Sequence, residues 1–201
     1  MNTQSKKGKI VVISGPSGVG KTTICRALLN RLDNVCRSVS VTTRPQAKNE
    51  INGKDYWFVT KQQFQEKLAA GQLLEHAEVF GNFYGTPKDK VEQAISEGKT
   101  IILEIDVQGG KKIKNLYPDA VMIFIMPPAR KDLAERMTKR ARDDSQSAAR
   151  RLSGADKEIA VARKYYEHFV INDDLQEAIN NIIQIIKQAQ SLEVNCGEQK
   201  R

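Results

Sequence analysis

A glycine-rich segment at residues 15–22 carries the side chains best suited to phosphate chemistry. It reads Gly-Pro-Ser-Gly-Val-Gly-Lys-Thr and fits the pattern G-x-x-x-x-G-K-[ST]. An apolar β-branched run precedes it and a helical pattern follows it, which is the context that gives the pattern its meaning. Glycines let backbone N–H groups surround an anion, Lys21 can reach the β- and γ-phosphates, and the Thr22 hydroxyl can face Mg²⁺. The segment predicts a nucleoside triphosphate site rather than a glycine-rich turn with a surface lysine.

Two acids near the end of a later apolar run could help to hold the metal. Glu104 and Asp106 lie at the C-terminal end of residues 100–106, a run that predicts a buried parallel strand. Ligands of open α/β sheets bind beyond the carboxyl ends of the strands, and Mg²⁺ takes one or two carboxylates, directly or through water. Because the two acids are two positions apart on the predicted strand, we expect them to face the same side. The alternative is a pair of solvated acids at a strand end.

The elements that must position these residues follow an alternating pattern. Short apolar runs alternate with helical patterns, which predicts an α/β fold whose parallel sheet carries helices on both faces. Strands are predicted at 9–14, 39–43, 56–59, 73–79, 100–106, 120–126 and 169–171, and helices at 21–31, 60–71, 86–98, 155–167 and 174–190. Thr60 with Gln63 predicts a capping box, Thr86 predicts a helix cap before a first-turn proline, and Gly71 and Gly98 predict helix ends.

Composition excludes several classes of function. The net charge is +8, but the basic residues are spread along the chain and aromatics make up 6% of it. A nucleic-acid groove usually combines a basic stripe with aromatics, so a nucleic-acid partner rests on charge alone. No apolar run approaches the roughly 18–20 residues that cross a bilayer, and residues 1–9 lack the apolar part of a signal peptide, so we expect a cytoplasmic protein without a membrane partner. The three cysteines fit neither a disulfide framework nor a metal-ligand spacing.

Five segments occur together in an order that resembles the guanylate kinase family. They are the phosphate loop, residues 40–45 (Ser-Val-Thr-Thr-Arg-Pro) with 50–56 (Glu-Ile-Asn-Gly-Lys-Asp-Tyr), residues 81–86 (Gly-Asn-Phe-Tyr-Gly-Thr), residues 104–109 and residues 172–175. The resemblance implies a P-loop core, a mixed α+β insertion that binds GMP and a helical lid insertion. The implied bounds are 8–39, 97–127 and 156–190 for the core, 40–96 for the GMP-binding part, 128–155 for the lid and 191–201 for a tail.

The resemblance assigns seven residues to GMP. Guanine is read by Ser40, Glu75, Thr86 and Asp106, and the GMP phosphate is held by Arg44, Tyr56 and Tyr84. A carboxylate such as Glu75 can accept from both N1–H and N2–H₂ of guanine, whereas adenine lacks these donors and would leave a buried charge unpaired. Taken singly, the tyrosines would be core aromatics and Glu75 a solvent-facing acid, so the joint match carries the assignment.

The same resemblance assigns the ATP side and the lid. The ATP-binding residues are Gly15, Pro16, Ser17, Gly18, Val19, Gly20, Lys21, Thr22, Thr23, Arg136 and Asn172. The catalytic residues are Lys21, Arg44, Arg140 and Arg151, and the Mg²⁺ residues are Thr22, Glu104 and Asp106. Arg136 and Arg140 are four apart, so they would share a face of a helix in the implied helical lid.

One position departs from the family pattern. A second arginine usually stands three residues after the one at Arg44, but this chain has Ala47 there, followed by Lys48. One phosphate ligand is therefore missing. Lys48 could serve as a point charge, although its side chain need not point the same way. We expect weaker binding of GMP than in relatives that carry both arginines.

These observations predict the ATP-dependent phosphorylation of GMP to GDP, in purine nucleotide metabolism. dGMP is an expected second acceptor because no residue of the match clearly reads a 2′-hydroxyl. The expected partners are ATP and GMP, with no nucleic acid, and the expected assembly is a monomer or a small homo-oligomer. Two alternatives remain open. One is a P-loop kinase of another phosphorylated acceptor, and the other is a guanylate-kinase-like module that binds phosphorylated partners.

Overall fold

The computed structural model describes residues 8–129 and 145–196. Its elements follow one another as β1 (Lys9–Ser14), α1 (Lys21–Arg31), β2 (Val35–Arg37), β3 (Val41–Thr42), β4 (Trp57–Phe58), α2 (Lys61–Ala69), β5 (Leu73–Val79), β6 (Asn82–Pro87), α3 (Lys88–Ser96), β7 (Thr100–Glu104), α4 (Val107–Leu116), β8 (Val121–Met126), α5 (Ser145–Tyr165), β9 (His168–Ile171) and α6 (Leu175–Cys196). None of the helices described is long and apolar enough to cross a membrane.

A parallel five-stranded sheet in the order β2-β7-β1-β8-β9 forms the centre of the fold. Successive side chains of a strand point to opposite faces, and β1 shows the result. Val11 and Ile13 enter one apolar cluster with α1 and α6, whereas Ile10 and Val12 enter a second cluster with α3 and α4. Because both faces are covered, the strands read as continuous β-branched runs. The predicted α/β fold with helices on both faces is confirmed.

A second sheet of four strands, in the order β4-β3-β6-β5, lies within residues 40–96. It is mixed, because β3 runs parallel to β4 and antiparallel to β6. Helix α2 packs on it through Phe64, which is fully buried and stacks on Phe83 at 5.5 Å. The predicted capping box of Thr60 and Gln63 is present, and the helix ends before Gly71 at a φ of 65°.

The predicted helix cap at Thr86 is wrong. Strand β6 continues through Pro87, and α3 begins only at Lys88 with no side-chain cap. The Thr86 hydroxyl is directed across the sheet instead, where it donates a hydrogen bond to Glu75 on β5. The cross-strand hydrogen bond within the buried sheet therefore replaces the expected local one.

Three elements were not predicted from the sequence, namely β2, β6 and α4. The three residues of β2 are all half-buried, so the strand shows no alternation. Helix α4 escapes prediction because it contains Gly109 and Gly110, which are poor helix formers. Both glycines are buried in the fold. Helix α5 also starts ten residues before the predicted 155, at Ser145.

A buried hydrogen-bonded group joins the ends of several elements. The Ser14 hydroxyl donates to the Ile105 carbonyl at 2.7 Å and lies 2.6 Å from the Tyr166 hydroxyl. Since serine has a single hydroxyl proton, Tyr166 is the donor in the second bond. The Tyr166 ring lies over Gly110, where an added Cβ would stand 1.9 Å from the phenolic oxygen. The strand that leads into the phosphate loop is thereby fixed to the end of α5.

Candidate functional site

The glycine-rich loop joins β1 to α1 at the carboxyl edge of the central sheet. Gly20 occupies the N-cap position of α1 with a φ of 105° and has no side chain to cap the helix. The first N–H groups of α1 are therefore available to an anion, and the helix dipole favours negative charge there. Buried Asn172 supports the loop, because its side-chain amide donates to the Val19 carbonyl at 2.7 Å.

Lys21 closes the loop on itself in this structure. Its ammonium group donates to the carbonyls of Gly15 at 2.6 Å and Pro16 at 3.1 Å. Ile24, Cys25 and Leu28 of α1 are fully buried against the sheet and hold the helix in place. Lys21 therefore projects from a rigid element into the loop that phosphates would fill.

Thr22 and Glu104 are brought together as a pair of oxygen ligands. The Thr22 hydroxyl donates to the Glu104 carboxylate at 2.6 Å, and Arg37 forms an ion pair with the same carboxylate at 3.5 Å. Hydroxyl and carboxylate oxygens are the hard ligands that Mg²⁺ prefers, so the residues present fit this ion. Among residues 8–129 and 145–196, no group of three or more His, Cys, Asp and Glu side chains forms a metal cluster.

Asp106 has a different environment from Glu104. Strand β7 ends at Glu104, and Asp106 is the N-cap of α4, where its carboxylate accepts a hydrogen bond from the Gly109 N–H at 2.8 Å. The expectation that both acids face one side of a strand is therefore wrong, because Asp106 is not on the strand. Burial raises the pKa of Asp106, and its hydrogen bond to the Gly109 N–H opposes that effect.

Glu75 is a buried carboxylate on the four-stranded sheet. It is 5% exposed and lies opposite Thr86, which is fully buried and donates its hydroxyl to the carboxylate at 2.6 Å. Burial raises the pKa of Glu75 to about 7, which the Thr86 hydrogen bond opposes and the nearby Asp106 charge reinforces. A Cβ added to Gly109 would stand 2.6 Å from one Glu75 oxygen and 3.3 Å from Asp106. Glu75, Thr86 and Asp106 are therefore neighbours, although they come from three different elements.

Arg44 lies among aromatic rings on the same sheet. Its guanidinium carbon is 5.4 Å from the Tyr56 ring centroid and 5.6 Å from that of Phe58, and the Tyr56 and Tyr84 rings are 6.0 Å apart. Burial raises the pKa of Tyr56, so its hydroxyl stays protonated and able to donate. The structure thus gathers the three side chains that were assigned to the GMP phosphate. Ser40 is buried just before β3, where its carbonyl accepts from the Trp57 N–H at 2.9 Å.

Glu50, which has no role in the predicted site, is a partner of Arg44. Its two carboxylate oxygens accept from the Arg44 guanidinium at 2.7 Å and 3.0 Å, and one also accepts from the Ala47 N–H at 2.8 Å. This bidentate hydrogen bonding raises the pKa of Arg44 and fixes the plane of its guanidinium group. The signal in the sequence was an acid six residues after the arginine, a spacing with no periodic meaning for irregular backbone.

The lid arginines are placed only in part. Arg136 and Arg140 lie outside the described residues, and Arg151 falls within α5. The roles of these three residues therefore remain predictions.

Comparison with known proteins adds independent information. The family model described as guanylate kinase matches residues 7–189. A guanylate kinase of Clostridium perfringens (strain SM101 / Type A) is 45% identical over 183 residues, covering 91% of this chain and 84% of the relative. One of Wolbachia pipientis wMel is 45% identical over 185 residues, covering 92% of each chain. The crystal structure of guanylate kinase from Anaplasma phagocytophilum superposes with a TM-score of 0.78 at 37% identity, covering 92% of this chain and 88% of that one. Together with the phosphate loop and the buried acid of the second sheet, these similarities show that the chain belongs to the guanylate kinase family.

Proposed function

We propose that this protein is an ATP:GMP phosphotransferase, which moves the terminal phosphoryl group of ATP onto GMP to give ADP and GDP. The single observation that carries the choice of acceptor is the buried Glu75 carboxylate, held by Thr86 at 2.6 Å. Guanine offers N1–H and N2–H₂ side by side, so one carboxylate can accept from both. Bases without these donors would leave the buried acid unpaired, at a cost that discriminates strongly between substrates.

The donor site acts by position and charge. Backbone N–H groups at the start of α1 and the Lys21 ammonium would receive the ATP phosphates, which replace the Gly15 and Pro16 carbonyls as partners of that lysine. Thr22, with Glu104 behind it, would hold Mg²⁺, which would neutralise charge on the β- and γ-phosphates when bound. Asp106 is a less direct candidate for the metal because its carboxylate already caps α4.

The acceptor site needs no general base. The attacking atom is a phosphate oxygen of GMP, which is already ionised at neutral pH. Arg44, Tyr56 and Tyr84 would hold this phosphate in line with the γ-phosphate, and such alignment supplies most of the catalysis in phosphoryl transfer. The lid arginines Arg140 and Arg151, with Arg136 toward ATP, would add positive charge over the transferred group and help to exclude water.

The finer features follow the same proposal. The four-stranded sheet within residues 40–96 would be the GMP-binding part, residues 128–155 the lid, and the five-stranded sheet with its helices the ATP-binding core. dGMP would serve as a second acceptor. A cytoplasmic location and a monomeric or small homo-oligomeric assembly complete the proposal.

The test is ADP release from Mg-ATP with GMP, dGMP, AMP, UMP and CMP offered in turn. ADP release with GMP and dGMP alone is the expected result, and Glu75→Gln should abolish that selectivity. Release that is equal for all acceptors would contradict the assignment of Glu75. No release with any of them would favour a non-catalytic binding module.

A further inference from the structure

Arg37 bridges two parts of the molecule that the proposed function treats separately. It is the last residue of β2, and its side chain is 14% exposed. One guanidinium nitrogen forms the ion pair with Glu104 at 3.5 Å, and the other donates to the Lys54 carbonyl at 2.5 Å. A planar guanidinium group with fixed donors can hold two partners in a defined relation, which an ammonium group cannot.

On one side, this bridge leads to the phosphate loop. Glu104 accepts the hydrogen bond from Thr22 at 2.6 Å, and Thr22 is the second residue of α1, directly after the loop. Two contacts therefore connect Arg37 to the residue proposed to face the metal and the ATP phosphates.

On the other side, the bridge leads to the acceptor phosphate. Lys54 lies in a tight turn in which the N–H groups of Lys54 and Asp55 both donate to the Ile51 carbonyl, at 3.1 Å and 2.9 Å. The Gly53 N–H donates to the Tyr56 carbonyl at 2.8 Å, so the turn and Tyr56 form one hydrogen-bonded unit. Tyr56 in turn contacts Arg44 and Tyr84.

We propose that Arg37 is a positioning residue that couples the ATP side to the GMP side of the site. It joins Thr22 and Glu104 to the turn of Tyr56, so that occupancy of the phosphate loop changes the affinity for the acceptor phosphate. The inference rests on the proposed function. Coupling between two ligands is reciprocal and is commonly 5–150-fold, which makes it measurable apart from catalysis.

A second contact with the same turn provides a matched control. Arg26 of α1 forms an ion pair with Asp55 at 2.9 Å, but its side chain is 65% exposed. It therefore joins α1 to the same turn without contacting Glu104. If Arg37 acted only by fastening the turn to the core, loss of either arginine would have the same kind of effect.

The experiment measures GMP affinity with and without an occupied phosphate loop. The chain's single tryptophan, Trp57, lies against Gly53 of the turn and is 43% exposed, so its fluorescence can report binding. The dissociation constant of GMP is measured alone and with Mg²⁺ and the non-hydrolysable adenylyl imidodiphosphate, and their ratio is the coupling factor. In Arg37→Met this factor should fall at least about fivefold, while the affinity for the analogue alone changes less than about threefold. Arg26→Met should keep the factor within about twofold of the wild-type value.

Different failures are distinguishable. A wild-type protein that does not bind GMP would overturn the proposed function itself. A wild-type coupling factor near 1, or one that Arg37→Met leaves unchanged, would overturn the role of Arg37 alone. An equal loss in both arginine variants would reduce Arg37 to a structural contact. If thermal unfolding shows that Arg37→Met does not fold, Arg37→Lys is measured instead, because it retains the charge but not the planar guanidinium group. An unchanged coupling factor in that variant would also contradict the proposal.

Discussion

The phosphate loop and the four-stranded sheet are both expected to hold nucleotide phosphates, but they are built from different parts of the chain. The loop is one continuous segment whose backbone N–H groups meet the ligand at the start of α1. The proposed acceptor site draws side chains from β5, β6 and the segments around β3 and β4, which only the sheet register brings together. A site made of backbone can be read from a short pattern, whereas one made of side chains requires the fold.

The two regions also differ in charge. The Lys21 ammonium group donates to the carbonyls of Gly15 and Pro16, which are neutral partners that phosphates would replace. Arg44 is paired with Glu50 at 2.7 Å, and Ala47 stands where a second arginine is usual. In the proposed site the acceptor phosphate would therefore meet an arginine that already has a carboxylate partner. We expect the donor side to dominate the rate and the acceptor side to dominate selectivity.

The largest effect should come from Lys21→Met. Removing the ammonium group takes away charge stabilisation that is strongest in the transition state, so kcat should fall roughly 10³-fold. The affinity for GMP, measured by Trp57 fluorescence, should stay within about threefold because the acceptor side is intact. Lys90→Met, at a side chain 60% exposed, is the control for loss of one positive charge. A fall in kcat of less than about tenfold would contradict the dominance of the donor side.

Glu75→Gln should have the next largest effect, and on selectivity rather than on ATP use. The amide accepts from one guanine donor but faces the other with its NH₂ group, so kcat/KM for GMP should fall roughly 10²-fold. KM for ATP should not change. An equal rise in KM for GMP and in KM for ATP would show that Glu75 supports the fold rather than binding the base.

The pH dependence of the same variant sharpens the comparison. The folded-state pKa of Glu75 is about 7, above its ordinary value of 4.5. Between these values the folded protein binds more protons than the unfolded one, so this group lowers the free energy of unfolding as pH rises from 4.5 to 7, with no further loss above. Glu75→Gln should therefore be more stable than the wild type at pH 8, by roughly 1–3 kcal/mol, and much less so at pH 5. Urea unfolding at the two pH values measures this difference.

GMP binding should become stronger as pH rises, whereas the contribution of Glu75 to stability becomes weaker. In the proposed site ionised Glu75 accepts from guanine, so KM for GMP in the wild type should rise as pH falls from 8 to 6. The GMP phosphate has its own second pKa near 6, as phosphate monoesters do. Glu75→Gln retains that titration but not the carboxylate, so the additional rise should disappear in the variant. An identical pH profile in both proteins would contradict the role of Glu75.

Ala47→Arg should have a smaller effect of the opposite sign. A charged hydrogen-bond donor beside Arg44 would restore positive charge at the acceptor phosphate and lower KM for GMP about tenfold. Ala47→Met, which adds length without charge, is the control for packing. An unchanged KM in the arginine variant would contradict the expectation that the missing arginine weakens GMP binding.

Thr60→Ala should have the smallest effect. It tests whether the region of the four-stranded sheet can be destabilised without a change in ATP affinity. The variant loses the capping box of α2, which should reduce the free energy of unfolding by about 1 kcal/mol. ATP affinity should not change, since α2 packs on the four-stranded sheet through Phe64 and Phe83. Urea unfolding with and without ATP analogue measures both quantities.

The success of prediction from the sequence differs between the phosphate loop and the four-stranded sheet. The bounds of β1 and α1 were predicted correctly, because an apolar run, a glycine loop and a helical pattern succeed one another without interruption. Thr86 was placed as a cap because its partner Glu75 is eleven residues away, beyond any local pattern. The Arg37 bridge could not be predicted, since it joins β2 to a turn 17 residues later and to β7. The remaining site assignments depend on resemblance and await the measurements above.

The Tyr166 hydroxyl beneath the phosphate loop has a consequence for laboratory evolution. Position 110 has no room for a side chain, since even a methyl group would collide with that oxygen, whereas a Cβ at Gly154 of α5 would meet nothing within 4 Å. A library randomised at both codons should return glycine alone at 110 and a broad range of residues at 154, with alanine enriched because it favours the helix. Thermostabilised descendants of this enzyme should therefore carry changes along α5 and keep the group around Ser14 unaltered.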